Sequence, residues 1–196
     1  MSVLVEGCVE GLADAQAAAR GGADRLELCA DLSVGGITPP AEIVRAVKAR
    51  VFIPVFVMAR PRGGSYVYDA AEIEATHRDI DSVIAAGADG VVVGALTRTN
   101  EIDVPTLREF VGRAGGVPVT FHRAFDSVAE PSRALETLID AGVQRVLTAG
   151  GHGTALEGAA VLRSLVEQAG DRIIVLAGGK VRGHNARELI ARTCVH

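Results

Sequence analysis

Short aliphatic runs recur along the chain at 3–6, 25–29, 52–60, 90–94, 118–123, 145–148, 173–177 and 194–196. Each is bounded by turn residues, the pattern of a strand, so eight strands are predicted. Between them lie amphipathic stretches around 11–21, 39–49, 70–86, 104–114, 131–141, 155–169 and 183–191, which predict seven helices. The stretch 70–86 carries the clearest signals. Asp69 can cap it, and Glu72 stands three residues on, as in a capping box. Ile73, Ile80, Val83 and Ile84 follow at helical spacing, and Gly87 ends the run as a left-handed C-terminal turn prefers. At the second helix, Thr38 reads as the cap and Pro39 as the first helical residue.

A corner motif repeats. Gly22-Ala23-Asp24, Gly87-Ala88-Asp89 and Gly142-Val143-Gln144 each close a helix and lead into a strand. Alternating strands and helices imply a parallel sheet with right-handed crossovers. Eight strands with seven helices fit an α/β fold of the (β/α)8 TIM-barrel type better than an open doubly wound sheet. The expectation is a single TIM-barrel domain over residues 1–196, with the last helix missing from this chain. Truncation is one explanation for that gap. Cover by a partner or by the first helix is another, and a homo-oligomer fits the second. No GxGxxG follows the first strand, which speaks against a dinucleotide site.

Composition narrows this further. Hydrophobic residues make up 48% of the 196, yet aromatics are only 4% and Trp is absent. The core must therefore be aliphatic, as in parallel sheets covered by helices. The net charge is −4, with no basic face or long charge run, which speaks against nucleic acid or an anionic membrane as partner. No apolar run reaches the length of a membrane span, and the N-terminus lacks the pattern of a signal peptide. Three cysteines, Cys8, Cys29 and Cys194, do not make a disulfide framework. A reducing, cytoplasmic setting is the natural reading.

In a parallel barrel, chemistry sits where the strands end. Glu6 and Cys8 end the first strand, and Glu27 and Cys29 the second. Arg60 and Arg62 follow the third, and His122, Arg123 and Asp126 the fifth. Thr148 with Gly150-Gly151-His152 follows the sixth, Gly178-Gly179-Lys180 the seventh, and His196 ends the eighth. Glu6 with Cys8, and Glu27 with Cys29, share strand parity and so share a face. Glu6, Glu27, Arg60 and His122 could compensate one another at one mouth, as an active site or as a structural ion-pair layer. His122 is the candidate general acid–base, because its intrinsic pKa lies near neutrality. Asp126 or Arg123 would orient it. Arg60 and Arg62, on a Gly-rich loop, suit a carboxylate or phosphate. The Gly pairs at 150–151 and 178–179 can bring backbone N–H groups to an anion, though such corners need glycine in any case. Paired Cys8 and Cys29 thiolates would select Cu(I) or zinc. No CxxC or HxxxH spacing supports that, and buried cysteine as a small apolar filler explains them equally well.

The strings carrying these residues resemble the copper homeostasis protein CutC family. They are Gly21-Gly22-Ala23-Asp24-Arg25-Leu26-Glu27-Leu28-Cys29, Gly35-Gly36-Ile37-Thr38-Pro39 and Ile53-Pro54-Val55. Arg60-Pro61-Arg62-Gly63-Gly64, Pro118-Val119-Thr120-Phe121-His122-Arg123-Ala124-Phe125-Asp126 and Arg145-Val146-Leu147-Thr148 follow in order. The resemblance spans nearly the whole chain. It implies a barrel, a cytoplasmic location and a role in copper handling, with Cys8 and Cys29 matching family cysteines able to hold Cu(I). The chain departs from the family at Lys180, where a small residue is usual, and at Cys194, where Glu is usual. Family members also continue past the final His, which supports truncation.

Two functions compete at this point. One is Cu(I) binding through Cys8 and Cys29, with His196 as a third ligand. The other is a lyase, isomerase or hydrolase acting on a small anionic substrate. In that case Arg60, Arg62, Arg123, Thr148, Gly150, Gly178 and Gly179 would bind, and Glu6, Glu27, His122 and Asp126 would carry the chemistry. The residues alone lean towards the enzyme and the resemblance towards copper, which is the reading adopted.

Overall fold

The structure is a computed structural model that describes residues 3–195. Those residues pack into two compact units.

The first unit holds residues 4–93 and 109–119. Its elements are β1 (Glu6–Val9), α1 (Leu12–Arg20), β2 (Arg25–Leu28), α2 (Ala41–Lys48), β3 (Val55–Met58), α3 (Ala70–Ala85) and β4 (Gly90–Val93). The strands pair in parallel, in the order β1-β2-β3-β4. Every residue of β2, β3 and β4 is buried, as expected of strands covered on both faces. Leu26, Leu28, Val55, Val57, Val91 and Val93 fill this core against Val44 and Val47 of α2 and Ile80 and Val83 of α3. Each such side chain contributes roughly 1.5–3 kcal/mol on burial.

The second unit holds residue 3 together with 94–108 and 120–195. It includes the pairs β5 (Val119–Phe121) with β6 (Arg145–Thr148) and β6 with β7 (Ile174–Ala177), again parallel. α5 (Pro131–Asp140), α6 (Ala159–Ala169) and α7 (Ala186–Thr193) lie in it. The remaining helix, α4 (Val104–Arg113), runs from one unit into the other. Phe121, Phe125, Leu135, Leu138, Val146, Leu162, Leu165 and Val175 are buried here.

The capping box of α3 is present in both halves. The Glu72 N–H donates to Asp69 Oδ1 at 2.9 Å, and the Asp69 N–H to Glu72 Oε2 at 3.0 Å. The repeated corners share a left-handed glycine, with φ of 89° at Gly22, 99° at Gly87 and 82° at Gly142. In the first two corners, the Asp that follows has its own task. Asp24 accepts from the Val5 N–H at 2.8 Å and Asp89 from the Val55 N–H at 2.7 Å, so each carboxylate holds the entry of the neighbouring strand.

Two expectations are corrected. The second helix does not open at Pro39 under a Thr38 cap; its N-cap is Pro40 and it begins at Ala41. A residue before proline is pushed out of the helical region, so Pro39 cannot start the helix ahead of Pro40. The Thr38 hydroxyl bonds to the Arg60 carbonyl and Asp79 instead. The eighth strand is absent among the described residues: Cys194 takes a left-handed φ of 56° as the C-cap of α7, and Val195 lies in no strand. His196, expected at its end and as a third metal ligand, lies outside the described residues.

Candidate functional site

In the first unit, strand register brings three donors together. Cys8 of β1 stands opposite Glu27 of β2, and Cys29 lies two residues beyond Glu27 on the same face. The Cys29 N–H donates to the Val9 carbonyl at 2.9 Å, extending the ladder by one residue. One ligand atom from each of Cys8, Glu27 and Cys29 lies within 4.8 Å of the others. Cys8 is exposed, whereas Cys29 is 1% and Glu27 5% exposed, so the cluster is open on the Cys8 side and closed behind.

The electrostatics follow from this placement. A hydrogen bond from Cys29 holds the Cys8 thiol below its usual range, against burial and the nearby Glu6 and Glu10 charges. The same bond, then burial, pushes the Cys29 thiol well up. Burial, then the negative charge at Cys8 and Glu6, pushes the Glu27 carboxyl well above the carboxylate range. Of the two sulfurs, the exposed Cys8 is thus the one that loses its proton more readily, while burial disfavours charge on Cys29 and Glu27.

Gly36 covers the buried thiol. Its φ is 85°, and a Cβ there would stand 3.1 Å from Cys29 Sγ and 3.6 Å from Met58 Cε. Cys29 and Met58 share one buried cluster with Phe56 and Val92. Arg60 holds this cover down. Its guanidinium donates to the carbonyls of Val34 at 3.2 Å, Gly36 at 3.0 Å and Gly64 at 2.9 Å, and lies 4.8 Å from the Tyr66 ring centroid. Arg62 is paired with Glu72 and donates to the carbonyls of Gly63, Ser65 and Val67. Both guanidinium groups thus shape the 60–68 loop. Glu6 forms an ion pair with Arg25, whose guanidinium sits 4.8 Å from the Phe56 ring centroid.

In the second unit, His122 directly follows β5 and is 3% exposed. Its Nδ1 accepts from the Ala124 N–H at 3.2 Å. Gly94 leaves space for the ring, since a Cβ there would fall 2.4 Å from His122 Cε1. The Ala124 N–H thus helps to fix the orientation of this imidazole. Asp126 serves the neighbouring turn. Its Oδ1 accepts from Thr148 Oγ1 at 2.5 Å and from the N–H groups of Ala149 at 2.8 Å and Gly151 at 3.1 Å. Its Oδ2 accepts from Arg123 Nε at 2.8 Å. Thr148 in turn receives the Gly150 N–H at 2.9 Å. Gly150 is required, because a Cβ would stand 2.5 Å from the Gly158 carbonyl oxygen. Gly178 is required too, with Leu147 Cδ1 2.5 Å from its would-be Cβ.

Reading the sequence missed two contributions. Glu27 appeared there as an acid–base candidate, and only the β1–β2 register sets it among the sulfurs. Gly36 was legible only as part of a Gly-Gly string, and its contact with Cys29 is a matter of tertiary packing.

Parallel strands alternating with helices, with a Cys-Glu-Cys donor group at the ends of the first two strands, define an α/β protein of the TIM-barrel type with a candidate soft-metal centre. A CutC crystal structure from Streptococcus agalactiae, solved under the copper homeostasis name, superposes with a TM-score of 0.94 at 31% identity, covering 99% of this chain and 96% of that one. The chain belongs to the CutC family, whose sequence model matches residues 3–196. The human copper homeostasis protein cutC homolog is 47% identical over 187 residues, 95% of this chain and 68% of that protein. A CutC family protein of Xanthomonas axonopodis pv. citri is 44% identical over 192 residues, 98% of this chain and 80% of its own length. No helix among the described residues is long and apolar enough to cross a membrane.

Proposed function

We propose that this chain is a cytoplasmic Cu(I)-binding protein of copper homeostasis, and that Cys8 and Cys29 are its ligands, with Glu27 beside them. The approach of the three donor atoms to within 4.8 Å of one another carries this reading. Thiolate bonds to a d10 ion such as zinc run about 2.3 Å, so a sulfur–metal–sulfur line spans about 4.6 Å. Donors within 4.8 Å of one another are close enough for one ion to reach all of them. Thiolates select soft ions, which favours Cu(I) over calcium or magnesium. The exposure of Cys8 gives an ion a way in, and the cover over Cys29 keeps the second sulfur from bulk water. The copper homeostasis name borne by the human relative supports the same role.

The test is an anaerobic Cu(I) titration against a competing chelator, with wild type beside Cys8→Ser/Cys29→Ser. One-to-one binding of about −12 kcal/mol or stronger, lost in the double variant, is the expected result. Weak binding, or binding indifferent to the two sulfurs, would overturn the proposal.

A further inference from the structure

The second unit contains a basic turn whose donors the fold does not use. Arg123 is anchored through Nε to Asp126 at 2.8 Å, and its side chain is 41% exposed. Among the described residues, nothing accepts from its two terminal nitrogens. The guanidinium lies along Gly179, since a Cβ on that glycine would stand 3.6 Å from Arg123 Cζ. Gly179 and Lys180 are both left-handed, with φ of 109° and 56°. Among the described residues, their N–H groups have no acceptor either.

The turn is held from several sides. The Gly178 N–H donates to the Thr148 carbonyl at 2.9 Å, and the Ala155 N–H to the Gly179 carbonyl at 3.0 Å. Asn185 Nδ2 donates to the Lys180 carbonyl at 3.0 Å, while Asn185 Oδ1 accepts the Arg182 N–H at 2.8 Å. These bonds fix the carbonyls and leave the donors of Gly179 and Lys180 unengaged. Turns of this kind make concavities that take anions. The nearby acids are already engaged. Asp126 accepts four donors, and its side chain is only 12% exposed. Glu157 accepts the N–H and hydroxyl of Thr154 at 2.9 and 2.8 Å.

We propose that Arg123 and the Gly178–Lys180 turn form a binding site for the phosphate group of a small phosphate monoester. A guanidinium offers two parallel donors in a fixed plane, which match two oxygens of a phosphate. Two backbone N–H groups serve a third oxygen, and the Lys180 ammonium adds charge. A phosphate monoester carries about −1.5 to −2 charges on three acceptor oxygens, against one charge on two oxygens for a carboxylate, and so matches a guanidinium, an ammonium and two N–H groups better. It shares no residue with the Cys8–Glu27–Cys29 cluster and does not depend on the copper reading.

The test is calorimetric titration of the full metal-free chain with glycerol 3-phosphate, inorganic phosphate and glycerol. Arg123→Gln removes the fork. Lys180→Gly removes the ammonium and suits a left-handed position, so it preserves the turn. The proposal expects saturable one-to-one binding of glycerol 3-phosphate and none of glycerol. Arg123→Gln should weaken it at least about tenfold, a loss typical of a charge-assisted bond. Lys180→Gly should give a smaller loss, and Cys8→Ser/Cys29→Ser none. Four results would overturn the proposal. They are no saturation by about 10 mM of either phosphate probe, binding unchanged in both Arg123→Gln and Lys180→Gly, binding of inorganic phosphate alone, and loss of binding in the cysteine variant.

Discussion

Gly36→Ala tests how the buried thiol is held. At a φ of 85° the new Cβ would stand 3.1 Å from Cys29 Sγ and 3.2 Å from Cys29 Cβ. Two costs follow. Left-handed backbone costs an L-residue with a Cβ about 1–2 kcal/mol. The contact then forces either Cys29 or the 35–37 backbone to move, and Arg60 resists the second through its bond to the Gly36 carbonyl. Gly22→Ala is the control, because Gly22 has a φ of 89° and nothing within 4 Å of its would-be Cβ. Both variants carry the same backbone strain, but only Gly36→Ala displaces the sulfur. In a protein of this size, about 1 kcal/mol moves Tm by about 2–4 °C, so Gly22→Ala should melt about 2–8 °C lower. Gly36→Ala should melt lower still and bind Cu(I) at least about tenfold more weakly, whereas Gly22→Ala should bind as wild type does. Calorimetric melting and the chelator competition assay read the two effects. Gly36→Ala binding Cu(I) with wild-type affinity would refute both the covering role of Gly36 and the need for Cys29 where it stands.

Two further predictions concern the second unit. Gly94→Ala places a Cβ 2.4 Å from the His122 ring and should destabilise the fold by about 1–3 kcal/mol in urea unfolding, with the Cu(I) site unaffected. Glu136 accepts two bonds from Arg172 and one from Gln168, which lower its pKa from 4.5 to about 2. A depressed carboxylate stabilises the fold above its unfolded pKa, near 4.5, and that contribution disappears as pH falls through about 2. Glu136→Gln should therefore flatten the acid limb of a Tm-against-pH curve between those values; an unchanged limb would show that this exposed pair contributes nothing.

The order of strands and helices was legible because it rests on local rules. The capping box at Asp69 and Glu72 and the left-handed corners at Gly22, Gly87 and Gly142 involve residues at most a few positions apart, so their chemistry can be read along the chain. The C-terminal aliphatic run was misleading for a related reason. Periodicity over three residues cannot separate a strand from the end of α7, where Cys194 turns left-handed. The candidate residues were legible by type and by their place at strand ends, but their partners were not. Arg60 and Arg62 read as anion clamps, yet the structure sets them on carbonyls of the 34–36 and 63–67 segments and on Glu72. Asp126 was legible as a candidate beside His122, but not its bonds to Thr148, Ala149 and Gly151 from more than twenty residues away.

By itself, the sequence determined the βα alternation, the aliphatic core and the strand-end location of its polar residues, since spacing and composition carry those directly. Tertiary structure decided which polar groups meet. The β1–β2 register aligns Cys8 with Glu27, the approach of Gly36 closes over Cys29, and Asp126 takes Arg123 by one nitrogen only. Hydrogen bonds and close packing act over a few ångströms, so the function of each group depends on neighbours that the chain brings near only on folding.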